Sequence, residues 1–262
     1  MATRGGPFPR LGTGLSVTRP ERPLVIAHRG ASAYRPENTF PAYELAVEMQ
    51  ADMIEIDLHR CRDGDVVITH NAELDLLGEG RWIEDVSLDE LRGFDMGEGE
   101  RVPLLDEVLD RFGSRIPFNL EIKCGCHGPY AGLEEIALEA VRSRGLLERT
   151  LFSSFSDPVL ARLRELEPKA RLACLVDPRD PGRPLERARA VGAEALNPWL
   201  GLARSELIEA AHAAGMAVYP YTVNREEQMI ELLARGVDGM FSNHPDQLRR
   251  LLQADGESQT SE

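Results

Sequence analysis

Long apolar runs are missing from this 262-residue chain. None approaches the ~20 residues that a membrane-crossing helix needs, so no such span is expected. Met1 to Pro20 carries Arg, Gly and Pro but no hydrophobic segment like a secretory signal, and the expected location is the cytoplasm. Basic residues are in deficit: 30 Lys and Arg face 44 Asp and Glu, for a net charge of −14. That balance argues against a nucleic-acid binder, which would rest on clustered Lys and Arg. Any anionic ligand would need a local positive site.

Cysteine is scarce. Cys61, Cys124, Cys126 and Cys174 are too few for a disulfide framework in a chain of this size and read as reduced thiols. Cys124-Gly125-Cys126-His127 invites zinc, but its spacing is not that of a paired structural zinc site and no fourth ligand suggests itself. No heptads or distinctive interface stretch indicate an oligomeric state.

What the chain does have is organised around Met53 to Asn71. Glu55 and Asp57 sit two apart in the apolar run Met-Ile-Glu-Ile-Asp-Leu, and alternate residues of a strand share a face. Two carboxylates on one face of a buried strand repel, and the simplest compensation is a hard divalent cation that takes oxygen ligands. Asp63-Gly64 then marks a hairpin turn, and Val66 to Thr69 returns the chain so that His70 comes back beside the two acids.

Upstream, Leu24 to Ala27 reads as a buried strand ending in His28-Arg29-Gly30, followed by a helix over Pro41 to Gln50. Leu74 to Gly99 reads as an acidic surface excursion with a short helix near Ser87 to Arg92. The run Pro117 to Lys123 is a strand in which Glu121 and Lys123 repeat the two-residue spacing, adding a third acid and a cation to one face. Thereafter short apolar runs near 150–155, 171–176, 194–198, 216–223 and 239–242 alternate with helical periodicity. Eight parallel strands result if the Val66 arm is a hairpin excursion, which is the size and pattern of a (β/α)8 TIM barrel. The expected organisation is a flexible lead-in over 1–22, one domain over 23–253 and a frayed tail over 254–262.

The unusual polar residues fall at or just after strand carboxyl ends, the rim where such barrels assemble catalytic groups. Singly, His28 or His70 reads as a hydrogen-bonded core histidine; two histidines, three acids, an arginine and a lysine converging on one mouth read as a site. The ordered series His28-Arg29-Gly30, Pro36-Glu37-Asn38-Thr39, Glu55-Ile56-Asp57, His70-Asn71, Glu121-Ile122-Lys123, Thr222-Val223-Asn224, Asp238-Gly239 and His244-Pro245-Asp246 resembles the glycerophosphodiester phosphodiesterase family. The resemblance covers about Leu24 to Leu252.

It implies hydrolysis of a glycerophosphodiester to glycerol 3-phosphate and an alcohol. Glu55, Asp57 and Glu121 would bind one Mg2+ or Ca2+, and His28 and His70 would be the acid/base pair. Arg29 and Lys123 would face the phosphate. Tyr221 stands where the family carries a tryptophan, keeping an aromatic wall. Asn71 and Asn243 stand where aspartate is common, keeping hydrogen bonding without the charge, and Glu37 could orient Arg29. The rival readings are a lysophospholipase D-like or phospholipase C-like enzyme on the same barrel, and a non-catalytic barrel that binds phosphorylated ligands.

Overall fold

The computed structural model describes residues 20–73 and 80–259. Most of the expected lead-in, and 74–79 of the acidic excursion, lie outside the described residues. In chain order the elements are β1 (Leu24–His28), α1 (Phe40–Glu48), β2 (Met53–Arg60), β3 (Val66–Ile68), α2 (Leu88–Leu91), α3 (Leu105–Phe112) and β4 (Phe118–Ile122). Then come β5 (Cys124–Gly125), β6 (Gly128–Pro129), α4 (Leu133–Ser143), β7 (Thr150–Ser154), α5 (Asp157–Leu166), β8 (Arg171–Val176) and α6 (Pro184–Ala190). The last are β9 (Ala195–Pro198), α7 (Ser205–Ala213), β10 (Ala217–Val218), α8 (Glu226–Ala234), β11 (Gly239–Ser242) and α9 (Pro245–Gln259).

Eight strands, in the order β10-β9-β8-β7-β4-β2-β1-β11, run parallel in a nearly closed barrel, as the alternation predicted. The seam between β10 and β11 differs from expectation. The strand foreseen over Met216 to Val223 forms a regular ladder only at Ala217–Val218, because Pro198 on the β9 side and Pro220 on the β11 side have no N–H to donate. Single bonds close the gap instead: Asp238 N donates to Val218 O at 3.0 Å, Phe241 N to Pro220 O at 3.0 Å, and Val223 N to Phe241 O at 2.8 Å.

The two faces of the strands explain where the site can sit. Ile54, Ile56 and Leu58 of β2 point outward and pack with Tyr43, Ala46, Leu105 and Phe112 of the surrounding helices. Inward, Ile26, Met53, Leu151, Ala173, Ala195, Ala217, Tyr219 and Phe241 plug the lower barrel with apolar side chains. The next inward positions up the strands are polar, including His28, Glu55, Asn119 and Ser153. A polar layer thus rests on a dry floor.

The hairpin forms as its sequence indicates. β3 pairs antiparallel with β2, Leu58 opposite Ile68, and Gly64 takes φ +100° in the turn. Thr69 N then donates to Asp57 O at 3.2 Å, which brings His70 to the barrel rim. The following excursion has its own small core of Cys61, Val67, Ile83, Val86, Leu91 and Val102, so its apolar residues are tied down rather than solvated. Ser87 caps α2 with a reciprocal Glu90 bond. At the other end α9 runs to Gln259, past the expected boundary at Gln253.

Gly30 locks the loop after β1 against α1. Its φ is +82°, and a Cβ there would sit 2.7 Å from the Ala42 carbonyl carbon and 2.8 Å from its oxygen. Gly30→Ala is therefore expected to destabilise the fold by more than ~1 kcal/mol. Urea denaturation checks this; a midpoint equal to that of the unsubstituted chain would contradict the close packing.

Candidate active site

Cross-strand register assembles the acids. Asp57 of β2 lies opposite Glu121 of β4, and Glu55 lies opposite Asn119 one pleat lower. All three carboxyl groups are buried, and one oxygen from each falls within 4.8 Å of the others. Oε1 of Glu55 is buried without a hydrogen-bond donor, while Oδ1 of Asp57 and Oε1 of Glu121 are buried beside the Lys123 ammonium. Burial, then the charges of Asp57 and Glu121, push the Glu55 carboxyl well above the usual range. Burial raises Glu121 too, against the pull of Lys123. Such a cluster of oxygen donors fits a hard divalent cation, whose charge would offset the repulsion that raises these groups.

Asp57 behaves oppositely. Burial works against its charge, but Lys123 and Arg29 outweigh it and hold the carboxyl below the ordinary range. Lys123 Nζ is 2.8 Å from Asp57 Oδ1 and 2.5 Å from Glu121 Oε1, while Arg29 Nε is 3.2 Å from Asp57 Oδ2. The Asn38 amide donates to Asp57 Oδ2 at 2.9 Å and accepts from the Tyr43 hydroxyl at 3.2 Å. Arg29 also pairs with Glu37 at 2.8 Å, and its backbone N–H donates to Glu55 Oε2 at 3.0 Å.

Each rim histidine meets an asparagine. His28 Nδ1 donates to Asn243 Oδ1 at 2.7 Å, which leaves the Nε2 lone pair free, 4.0 Å from Glu55 Oε2. Burial, then the nearby Arg29 charge, lowers the His28 pKa to about 3. His70 Nδ1 donates to Asn71 Oδ1 at 2.9 Å, and burial lowers its pKa as well. The His28 ring is therefore neutral near pH 7.

A third histidine escaped the sequence reading. His59 is buried on the face shared by Glu55 and Asp57, so the two-residue spacing that singled out the acids, carried one step further, would have found it. The His70 carbonyl can only accept, so His59 Nε2 carries the proton and donates to it at 3.3 Å. His59 Nδ1 then accepts from the Tyr130 hydroxyl at 2.8 Å. Burial lowers the His59 pKa to about 4, which preserves this arrangement of protons.

Above the polar layer opens a cavity of about 160 Å3. His28, Arg29, Glu55, His70, Glu121, Lys123 and Tyr221 all border it, and Asp57 lies buried beneath, gripping Lys123. Tyr221 meets Phe155 edge-on, ring centres 5.9 Å apart, so the aromatic wall has two members where the sequence suggested one. Thr222, from the Thr222-Val223-Asn224 motif, also borders it, and Ser153 and Leu175 complete parts of the lining that carried no sequence signal.

An amide beside His28 stabilises its protonated form less than a carboxylate would. Asn243→Asp is accordingly expected to raise the His28 pKa from about 3 toward the ordinary histidine value. An NMR titration of the ring resonances measures it; an unmoved or lowered value would contradict the pairing.

The Glycerophosphoryl diester phosphodiesterase family model matches residues 28–247. A glycerophosphodiester phosphodiesterase of Bacillus subtilis (strain 168) is 33% identical over 255 residues, covering 87% of this chain and 85% of that protein. A crystal structure from Galdieria sulphuraria has a TM-score of 0.82 at 26% identity, over 92% of this chain and 100% of that one. An Oleispira antarctica phosphodiesterase, solved in complex with the product sn-glycerol-3-phosphate, has a TM-score of 0.74 at 30% identity, over 87% of this chain and 96% of that one. On the match from His28 to Gln247 and the identity with the Bacillus enzyme, this chain belongs to the glycerophosphoryl diester phosphodiesterase family.

Proposed function

We propose that the chain hydrolyses glycerophosphodiesters to sn-glycerol 3-phosphate and an alcohol, with one divalent cation, Mg2+ or Ca2+, held by Glu55, Asp57 and Glu121. The observation that carries this reading is the convergence of three carboxylates, two histidines and two cationic side chains around one cavity. The Oleispira phosphodiesterase with its bound product supports the choice of substrate class.

When bound, the cation polarises the phosphoryl group and offsets charge developing on its oxygens. The protein residues do the rest. Arg29, fixed by Glu37 and Asp57, offers its guanidinium fork to phosphate oxygens, and Lys123 adds a point charge. These local cations let a chain of net charge −14 hold an anion. Of His28 and His70, one takes a proton from the nucleophile and the other gives one to the leaving alcohol oxygen. Each role is worth ~10²–10⁴ in rate. Phe155 and Tyr221 wall the alcohol side, and a cavity of about 160 Å3 suits a short head group better than an acyl chain.

Among the described residues no helix is long and apolar enough to cross a membrane. We read the cytoplasm as the location, a compartment that keeps four free cysteines reduced.

The test is release of glycerol 3-phosphate from glycerophosphocholine and glycerophosphoethanolamine, with lysophosphatidylcholine as the lipid comparison. Activity is expected on the two water-soluble diesters, to vanish with chelator and to return with Mg2+ or Ca2+. His28→Ala and His70→Ala should each lose ~10²–10⁴ in kcat while still binding the cation. Chelator-resistant turnover would remove the metal from the mechanism, and near-normal turnover in either variant would remove that histidine. Preference for the lysolipid would transfer the reading to a lysophospholipase D-like enzyme.

A further inference from the structure

The Cys124-Gly125-Cys126-His127 stretch lacks an evident further ligand when read along the chain, and the fold supplies one from 42 residues upstream. β5 and β6 pair as a minimal hairpin, Cys124 opposite Pro129 and Gly125 opposite Gly128, with Cys126 and His127 at its tip. Against that tip lies Glu84, from the 3-10 turn Ile83–Asp85. The Cys126 thiol donates to Glu84 Oε1 at 2.7 Å, and His127 Nε2 lies 3.9 Å from the same oxygen. One donor atom from each of the three residues falls within 4.8 Å of the other two.

Gly125 permits this approach. A Cβ at that position would sit 1.6 Å from Glu84 Oε2, so the carboxylate occupies space that any other residue would fill. We infer that Glu84, Cys126 and His127 form a second cation site, for a borderline-soft divalent ion of the zinc class, with water as the fourth ligand.

Chemistry separates this site from the three buried acids. Those offer oxygen alone and suit a hard ion, whereas a thiolate, an imidazole and a carboxylate are the ordinary donors of zinc. Tetrahedral zinc separates its donors by roughly 3.3–3.8 Å, from bonds of ~2.0–2.3 Å. The present separations of 2.7 and 3.9 Å lie on either side, so small side-chain movements suffice. On binding, the Cys126 S–H bond breaks, the proton passes to solvent and a metal–sulfur bond forms; no electron changes hands. The bound ion would tie the Ile83–Asp85 turn to the hairpin that leads into Tyr130, and through Tyr130 to His59 and the His70 carbonyl.

The test uses the metal-free full-length chain titrated with Co2+. A thiolate-to-cobalt charge-transfer band should appear in the near ultraviolet, saturate with one ion per chain and bleach when Zn2+ is added. The all-oxygen site cannot produce such a band. Cys126→Ser should abolish it, Glu84→Gln and His127→Ala should each weaken cobalt binding ~10-fold or more, and Cys124→Ser should leave it intact. Far-ultraviolet circular dichroism checks that each variant is folded, and the unsubstituted chain alone decides the matter if one is not. The inference is overturned by absence of the band in that chain at excess cobalt. It is equally overturned by a band indifferent to Glu84→Gln and His127→Ala, or by one that follows Cys124 instead of Cys126.

Discussion

Asp57 carries a charge where no solvent reaches it, and Lys123, Arg29 and Asn38 all turn toward its two oxygens. Withdrawing one charge from such a buried pair while leaving the other typically costs ~3–5 kcal/mol. That penalty couples pieces of chain far apart in sequence. Lys123 extends from the end of β4, Arg29 from the end of β1, and Asn38 from the loop before α1, so one carboxylate on β2 ties three neighbouring segments together. The two cations beside the cavity are therefore positioned by the same charge that makes them affordable in a low-dielectric interior.

Why Asp57 stays ionised while Glu55 resists ionisation is a matter of neighbours. Both are buried, but Lys123 and Arg29 face Asp57 most closely, whereas Glu55 has Asp57 and Glu121 as its strongest electrostatic neighbours after burial. Environment rather than residue type divides the acids into one that anchors the frame and two that burial pushes toward the neutral form. The dry floor of Ile26, Met53, Leu151 and Phe241 keeps water from screening that contrast from below.

Much of this was legible in the chain. Period-two spacing at Glu55-x-Asp57 and Glu121-x-Lys123, and the Asp63-Gly64 turn, are local signals, and local signals survive into the fold because strand pleat and turn geometry are set within a few residues. The barrel followed from the alternation of short apolar runs with helical periodicity. What could not be read depends on contacts between distant segments. Asn38 reaches Asp57 across the β1 loop, His59 finds Tyr130 71 residues later, and Glu84 meets Cys126 through a turn that carries no motif. The shortened β10 is a different failure: Pro198 and Pro220 were visible, but their effect depends on a neighbouring strand needing an N–H at those points.

Arg29 and Asn38 share an uncommon backbone, each with φ +57°. Asparagine tolerates that left-handed turn, but an arginine there gives up ~1–2 kcal/mol that glycine would keep. Leaving Asp57 short of that guanidinium would cost more, ~3–5 kcal/mol, so at position 29 the buried charge pair outweighs the strained backbone. A search for hardier variants guided by melting temperature alone would accordingly leave that arginine in place, and the capacity to grip an anion would survive a selection that never asked for it.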